Sequence, residues 1–198
     1  MKKIILFLLS ACFLAQPVLA TSETAKTSKD PAKPDATLKV DVLSVFFTPP
    51  TGAAKGLIRY LDVAKKNIQV MAYSFTYLDI AEALARAAQR GVEVQVIQDG
   101  PTAMNNSEVI AALLKGGVVV RGDKAHRIAH NKVMIIDGEI VVTGSYNFTN
   151  SAEKSNAENM IVLRSTALAQ QYSKNFITHW EHSYPITTAP EKKTAKPN

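Results

Sequence analysis

An α/β fold, with a mixed β-sheet sandwiched by helices, is what this sequence predicts, and three observations predict it. Apolar runs of strand length alternate with segments of helical periodicity between residues 39 and 121. The rhythm then changes to two apolar runs separated by Asp137-Gly138, a hairpin signal because both positions tolerate positive φ. A last stretch of helical pattern closes the block.

Residues 39–47, with Val40, Val42, Leu43, Val45, Phe46 and Phe47, read as a strand ended by Pro49-Pro50. In 53–66, Leu57, Ile58 and Leu61 recur at helical spacing. Residues 68–75 are again strand-like, 78–90 form an alanine-rich helix closed by Gly91, and 92–97 alternate Val92, Val94 and Val96 as a third strand. A helix over 107–115 stops at Gly116-Gly117 and leads into a short strand at 118–121. The hairpin strands are 131–136 and 139–143, a further strand spans 157–163, and the closing helix is 167–182, with Phe176, Ile177 and Trp180.

This block occupies residues 38–184. Before it, 1–20 has the form of a secretory signal: Lys2 and Lys3, an apolar run, and small residues up to Ala20. Residues 21–37 and 185–198 are polar and poor in anything to bury, which predicts a flexible linker and a flexible tail. The apolar run of the leader is short and broken by Ser10, Gln16 and Pro17, so no stable membrane span is expected. Export to the periplasm or medium follows, with a lipoprotein leader ending before Cys12 the weaker alternative. Cys12 is the sole cysteine, so a chain cleaved after Ala20 has no disulfide and no thiol nucleophile.

The apolar fraction of 46% and charged fraction of 20% are those of a folded domain and exclude disordered and multi-span classes. The formal charge of +6 stays positive without Lys2 and Lys3, and a basic surface favours phosphate-bearing partners.

The chemistry crowds into 126–159. His130, Lys132 and Asp137 stand in the pattern H-x-K-x4-D, and strand alternation points His130 and Lys132 to one face. An imidazole there can attack phosphorus or move a proton, and the ammonium neutralises non-bridging oxygens. After the hairpin, Gly144 permits close backbone approach, and Ser145 and Asn147 present polar groups at alternate positions to the same phosphate. Glu158 opens the next strand, where a carboxylate beside the imidazole would fix its tautomer. By parity Asp137 points to the opposite strand face from His130.

HNKVMIID, then GSYNFT, then AEN resemble the HKD signature of the phospholipase D superfamily, and the single copy resembles the bacterial Nuc-type endonucleases. MAYSFT at 71–76 and His179-Trp180 are similar to that subgroup as well, so the resemblance spans roughly 40–183. It implies a phospholipase D-like αβα fold and a covalent phosphohistidine at His130. Lys132, Ser145 and Asn147 would bind the phosphate, Glu158 would orient His130, and Asp137 would support the loop and local charge balance. It implies no metal and no cofactor, a DNA or RNA substrate, and a homodimer that joins two single motifs into one site. Gln98-Asp99-Gly100-Pro101 departs from the expected loop chemistry, which puts substrate preference in question.

Competing readings are a lipid headgroup hydrolase, which the same chemistry allows, and a non-catalytic nucleic-acid-binding module for DNA uptake or transfer. His126 with His130, and His179 with His182, suggest a metal site by spacing, but His126 and His130 lie in a loop leading into a strand, where an i,i+4 pair does not share a ligand face. Tyr73, Phe75 and Tyr77 suit base stacking or core packing.

Overall fold

The computed structural model describes residues 37–50 and 52–191. The signal-like segment, nearly all of the linker and residues 192–198 lie outside them.

Eight strands form one sheet in the order β1-β7-β6-β5-β2-β3-β4-β8. They are β1 (Asp41–Thr48), β2 (Asn67–Ala72), β3 (Glu93–Asp99), β4 (Val119–Asp123), β5 (Lys132–Ile136), β6 (Ile140–Gly144), β7 (Glu158–Arg164) and β8 (Tyr184–Pro185). The pairs β2·β3 and β3·β4 are parallel and the remaining pairs antiparallel. The helices are α1 (Ala53–Val63), α2 (Leu78–Gln89), α3 (Gly100–Ala103), α4 (Ser107–Lys115), α5 (Asn150–Lys154) and α6 (Thr166–His182).

Strand alternation divides the central strands between two cores. Val70, Val96, Met134, Ile136 and Val142 face the larger one, which Leu57 and Leu61 of α1, Ile80 and Leu84 of α2 and Ile110 and Leu113 of α4 complete. Met71, Ile97, Val133, Ile135 and Val141 face the other, closed by Ala169 and Phe176 of α6. The sheet is therefore covered on both sides, the mixed αβα sandwich the sequence predicts. Each fully buried leucine or isoleucine contributes about 1.5–3 kcal/mol through removal from water.

The β5–β6 turn holds Asp137 at φ 55° and Gly138 at φ 70°, and the Glu139 N–H donates to the Ile136 carbonyl at 3.1 Å. Positive φ at both central positions is the requirement that Asp-Gly satisfies. Gly144, at φ 147°, is needed for a different reason: a Cβ there would stand 2.3 Å from the Asn159 carbonyl oxygen.

Besides the short α3 and α5, which the sequence reading does not include, three segments end or run differently from the expectation. Helix α1 stops at Val63 instead of running to 66, because the Asp137 carboxylate accepts the backbone N–H groups of Lys65, Lys66 and Asn67 at 2.7–3.2 Å. Strand β2 leaves the ladder after Ala72, and the chain continues to a single bridge between Phe75 and Phe148. The tail expected to be flexible from 185 begins inside the fold: β8 pairs with β4, Ile186 is buried, and its N–H donates to the Val120 carbonyl at 2.9 Å. Among the described residues no helix is long and apolar enough to cross a membrane.

Candidate phosphate-binding active site

The site is built where β5 begins, β6 ends and β7 begins, three adjacent strands of the sheet. Pairing of β2 with β5 sets Ala72 opposite Lys132, and the Tyr73 N–H donates to the Asn131 carbonyl at 2.8 Å, so MAYSFT ends beside His130.

His130 is exposed, and its ring meets the Tyr73 ring edge-on with centroids 4.6 Å apart. Lys132, only 9% exposed, donates from Nζ to the His130 carbonyl at 2.9 Å, and Nζ lies 5.2 Å from the centre of the Tyr73 ring. Tyr73 thus packs against both the imidazole and the ammonium. Burial lowers the Lys132 pKa from its ordinary value, and the charge of Glu158 offsets part of that effect.

Beyond Gly144 the chain alternates. Tyr146 and Phe148 are buried in the larger core, whereas Ser145 and Asn147 are turned the other way and are less buried. The Tyr146 hydroxyl donates at 2.8 Å to the buried carboxylate of Glu153, which also accepts the Gly52 and Ala54 N–H groups where α1 starts. A carboxylate at a helix N-terminus is favourably placed. Burial, together with that neighbouring carboxylate, raises the Tyr146 pKa and keeps the phenol protonated. The GSYNFT segment is thereby fastened to α1.

Ser145 donates to Glu158 Oε2 at 2.5 Å and accepts from the Asn159 N–H at 3.1 Å, and Asn156 donates to Glu158 Oε1 at 3.1 Å. Asn147 Oδ1 is buried without a hydrogen-bond partner, so any contact of this amide with a phosphate oxygen falls to its Nδ2 donor. Lys132, Ser145 and Glu158 are thus coupled directly or through charge, with His130 joined to them by Lys132.

Asp137 and Glu158 each have hydrogen-bond partners other than His130. Asp137 is at the far end of β5 from His130, where its carboxylate holds the turn between α1 and β2, a loop-supporting place away from the imidazole. Seven residue steps at about 3.3 Å each put it roughly 23 Å away along the strand. The carboxylate of Glu158 is taken up by Ser145 and Asn156, and among the described residues no hydrogen bond joins it to His130. Within one chain the imidazole is braced by Tyr73. Ser145 has one hydroxyl proton and gives it to Glu158, so holding a phosphate through that proton requires exchanging this bond.

Two buried carboxylates support the loop that carries His130. Asp99 accepts the Ala129 N–H at 2.9 Å, and Asp123 accepts the Ala125 N–H at 2.9 Å. In the Gln98-to-Pro101 stretch, whose chemistry departs from that expected of the loop, Gln98 and Asp99 are buried, and Asp99 caps α3 by accepting from the Thr102 N–H. Of the three aromatic residues, Phe75 is fully buried against Phe148 and Tyr77 packs on the same core, which leaves Tyr73 at the site. His126 is drawn away from His130, its Nδ1 lying 3.1 Å from Asp123.

A family model described as cardiolipin synthase, phospholipase D-like domain, matches residues 57–180. The chain is 38% identical over 135 residues to a phospholipase D of Rickettsia felis, covering 68% of each. Among solved structures, Nuc from Salmonella typhimurium, a phospholipase D family member, superposes with a TM-score of 0.71 at 34% identity, covering 76% of this chain and 100% of Nuc. NucT from Helicobacter pylori superposes with a TM-score of 0.64 at 27% identity, covering 75% and 100%.

Proposed function

We infer that this chain, which belongs to the phospholipase D superfamily and is one of its phosphodiesterases, acts on the nucleic-acid backbone as an exported, non-specific endonuclease. The observation that carries the reading is the exposed imidazole of His130 set against the ammonium of Lys132, both on Tyr73. The basic composition, the single motif and the similarity over the whole of Nuc and NucT support nucleic acid as substrate. Recognition through phosphates, without base-edge contacts, explains the proposed lack of sequence preference.

In the proposed reaction a ring nitrogen of His130 attacks phosphorus in line, the N–P bond forms, and the ester P–O bond opposite breaks. The departing oxygen takes a proton from His130 of a second copy, since general acid catalysis requires an acid on the leaving side. Water then attacks phosphorus, gives its proton to that second imidazole, and the P–N bond breaks. Lys132 neutralises the non-bridging oxygens throughout, and Asn147 and Ser145 contact them from the neighbouring strand end. Glu158 maintains the charge of Lys132 and the position of Ser145. A two-fold dimer places both imidazoles at one phosphate, because an isologous interface brings identical residues together across its axis.

A second reading is hydrolysis of a lipid headgroup, which the similar Rickettsia felis phospholipase D favours. The test is incubation of the purified protein with plasmid, single-stranded DNA, RNA and phosphatidylcholine vesicles. Cleavage of nucleic acid, lost in His130→Asn together with an acid-labile phosphoryl adduct on the parent, is expected. Turnover confined to lipid would establish the second reading, and binding of DNA without turnover would establish a non-catalytic module.

A further inference from the structure

Away from the His130 imidazole, Asp123 at the end of β4, His126 in the loop that follows, and His179 and His182 in the last turn of α6 converge. Asp123 Oδ2 lies 3.1 Å from His126 Nδ1, 2.9 Å from His179 Nδ1 and 3.2 Å from His182 Nε2. All four donor atoms lie within 4.8 Å of one another. The three rings approach with centroids 4.9–5.3 Å apart.

Hydrogen bonding alone fits this arrangement poorly. Each imidazole would have to aim an N–H at the same oxygen, which has two lone pairs for three donors. The other oxygen, Oδ1, is already engaged by the backbone N–H groups of Ala125 and His126. A shared cation resolves the conflict, since each nitrogen then offers a lone pair to the ion. Tetrahedral zinc with bonds of about 2.0–2.1 Å sets its ligand atoms roughly 3.3 Å apart, close to the three separations from Asp123. Nitrogen ligands with one carboxylate suit zinc, whereas calcium and magnesium take oxygen. The C-terminal end of α6 supplies the negative end of its dipole. The Asp123 side chain is fully buried while that of His126 is 48% exposed, so the ligands are anchored from below and reachable from the loop side.

We propose that Asp123, His126, His179 and His182 bind one zinc ion as a closed, structural His3Asp site that ties the loop leading to His130 onto α6. With four protein ligands the ion has no position open to substrate, so it orders the loop and takes no part in the phosphoryl chemistry. The proposal does not depend on which phosphodiester is cleaved.

The test uses the purified full chain, stripped of metal and titrated with zinc chloride or cobalt chloride. One equivalent of zinc per chain is expected, with a rise in Tm of about 5–10 °C once free zinc exceeds its Kd a hundredfold. Cobalt should give the strong visible bands of tetrahedral coordination, unchanged by inorganic phosphate. His182→Gln and His179→Gln should each lower zinc affinity by at least tenfold, while His130→Asn keeps the ion and the bands. Should a histidine variant fail to fold, the cobalt spectrum of the parent still decides the matter. Absence of tetrahedral bands, a spectrum that shifts with phosphate, or loss of the ion in His130→Asn would each overturn the assignment. Loss of nuclease activity in His130→Asn with zinc retained bears on the catalytic reading alone.

Discussion

Lys132 shows how one residue's surroundings set a measurable property. Burial disfavours its charged form, and the lowered pKa means that the ammonium is given up at a lower pH than by a free lysine. The charge that neutralises phosphate is therefore present on the acid side and lost as pH rises. The alkaline limb of kcat/KM should fall below the ordinary lysine value of 10.5, and Lys132→Arg should move it upward while lowering kcat. A pH–rate profile of both proteins checks this. His130, Lys132, Ser145 and Asn147 were legible in the sequence because they lie on one hairpin and its exit, where local alternation decides direction. The contacts of Tyr73 and Asp99 with the His130 loop were not, because β2–β5 and β3–β4 pairing bring them there from distant positions. The partner of Glu158 depended on the β6–β7 register, which sets Gly144 opposite Met160 and so brings Ser145 beside the strand's start.

At the scale of elements, the β5–β6 hairpin carries chemistry at one end and architecture at the other. Asp137 combines a left-handed turn conformation with a carboxylate that accepts three consecutive backbone N–H groups after α1. Asp137→Ala should destabilise the protein by about 1–3 kcal/mol in urea unfolding and leave kcat within twofold at temperatures where the variant is folded. A loss of turnover matching that of His130→Asn would place Asp137 in the catalytic set. The helix and strand order was readable from periodicity, yet the end of α1 was not, since the group that stops it comes from 72 residues later. The short α3, α5 and β8 carry too few residues for a pattern, and β8 forms because β4 offers it an edge.

For the whole molecule, the single motif makes the proposed pairing of two copies a quantitative matter. When intact chains exchange freely with His130→Asn chains, the fraction of sites with two imidazoles falls as the square of the intact fraction. Activity should follow that curve, and a fall in direct proportion, or full activity from a monomer in light scattering, would refute the shared site. The αβα class and both covered sheet faces were legible from the alternation of apolar runs. The convergence of Asp123, His126, His179 and His182 was not, because it needs the end of β4 and the last turn of α6 side by side.

The strand order also decides how the domain can be connected to anything else. Strands β1 and β8 are the two outermost members of the sheet, so the first and last strands lie at opposite margins. Seven inter-strand gaps of about 4.8 Å separate them by roughly 30 Å. Head-to-tail joining of the domain would need on the order of ten extended residues to bridge that width. The residues after β8 turn back over the larger core, where Ala189 packs and Glu191 shares a cavity with Thr76 and the start of α4, so a fusion there would start beside α4 and not at the sheet margin.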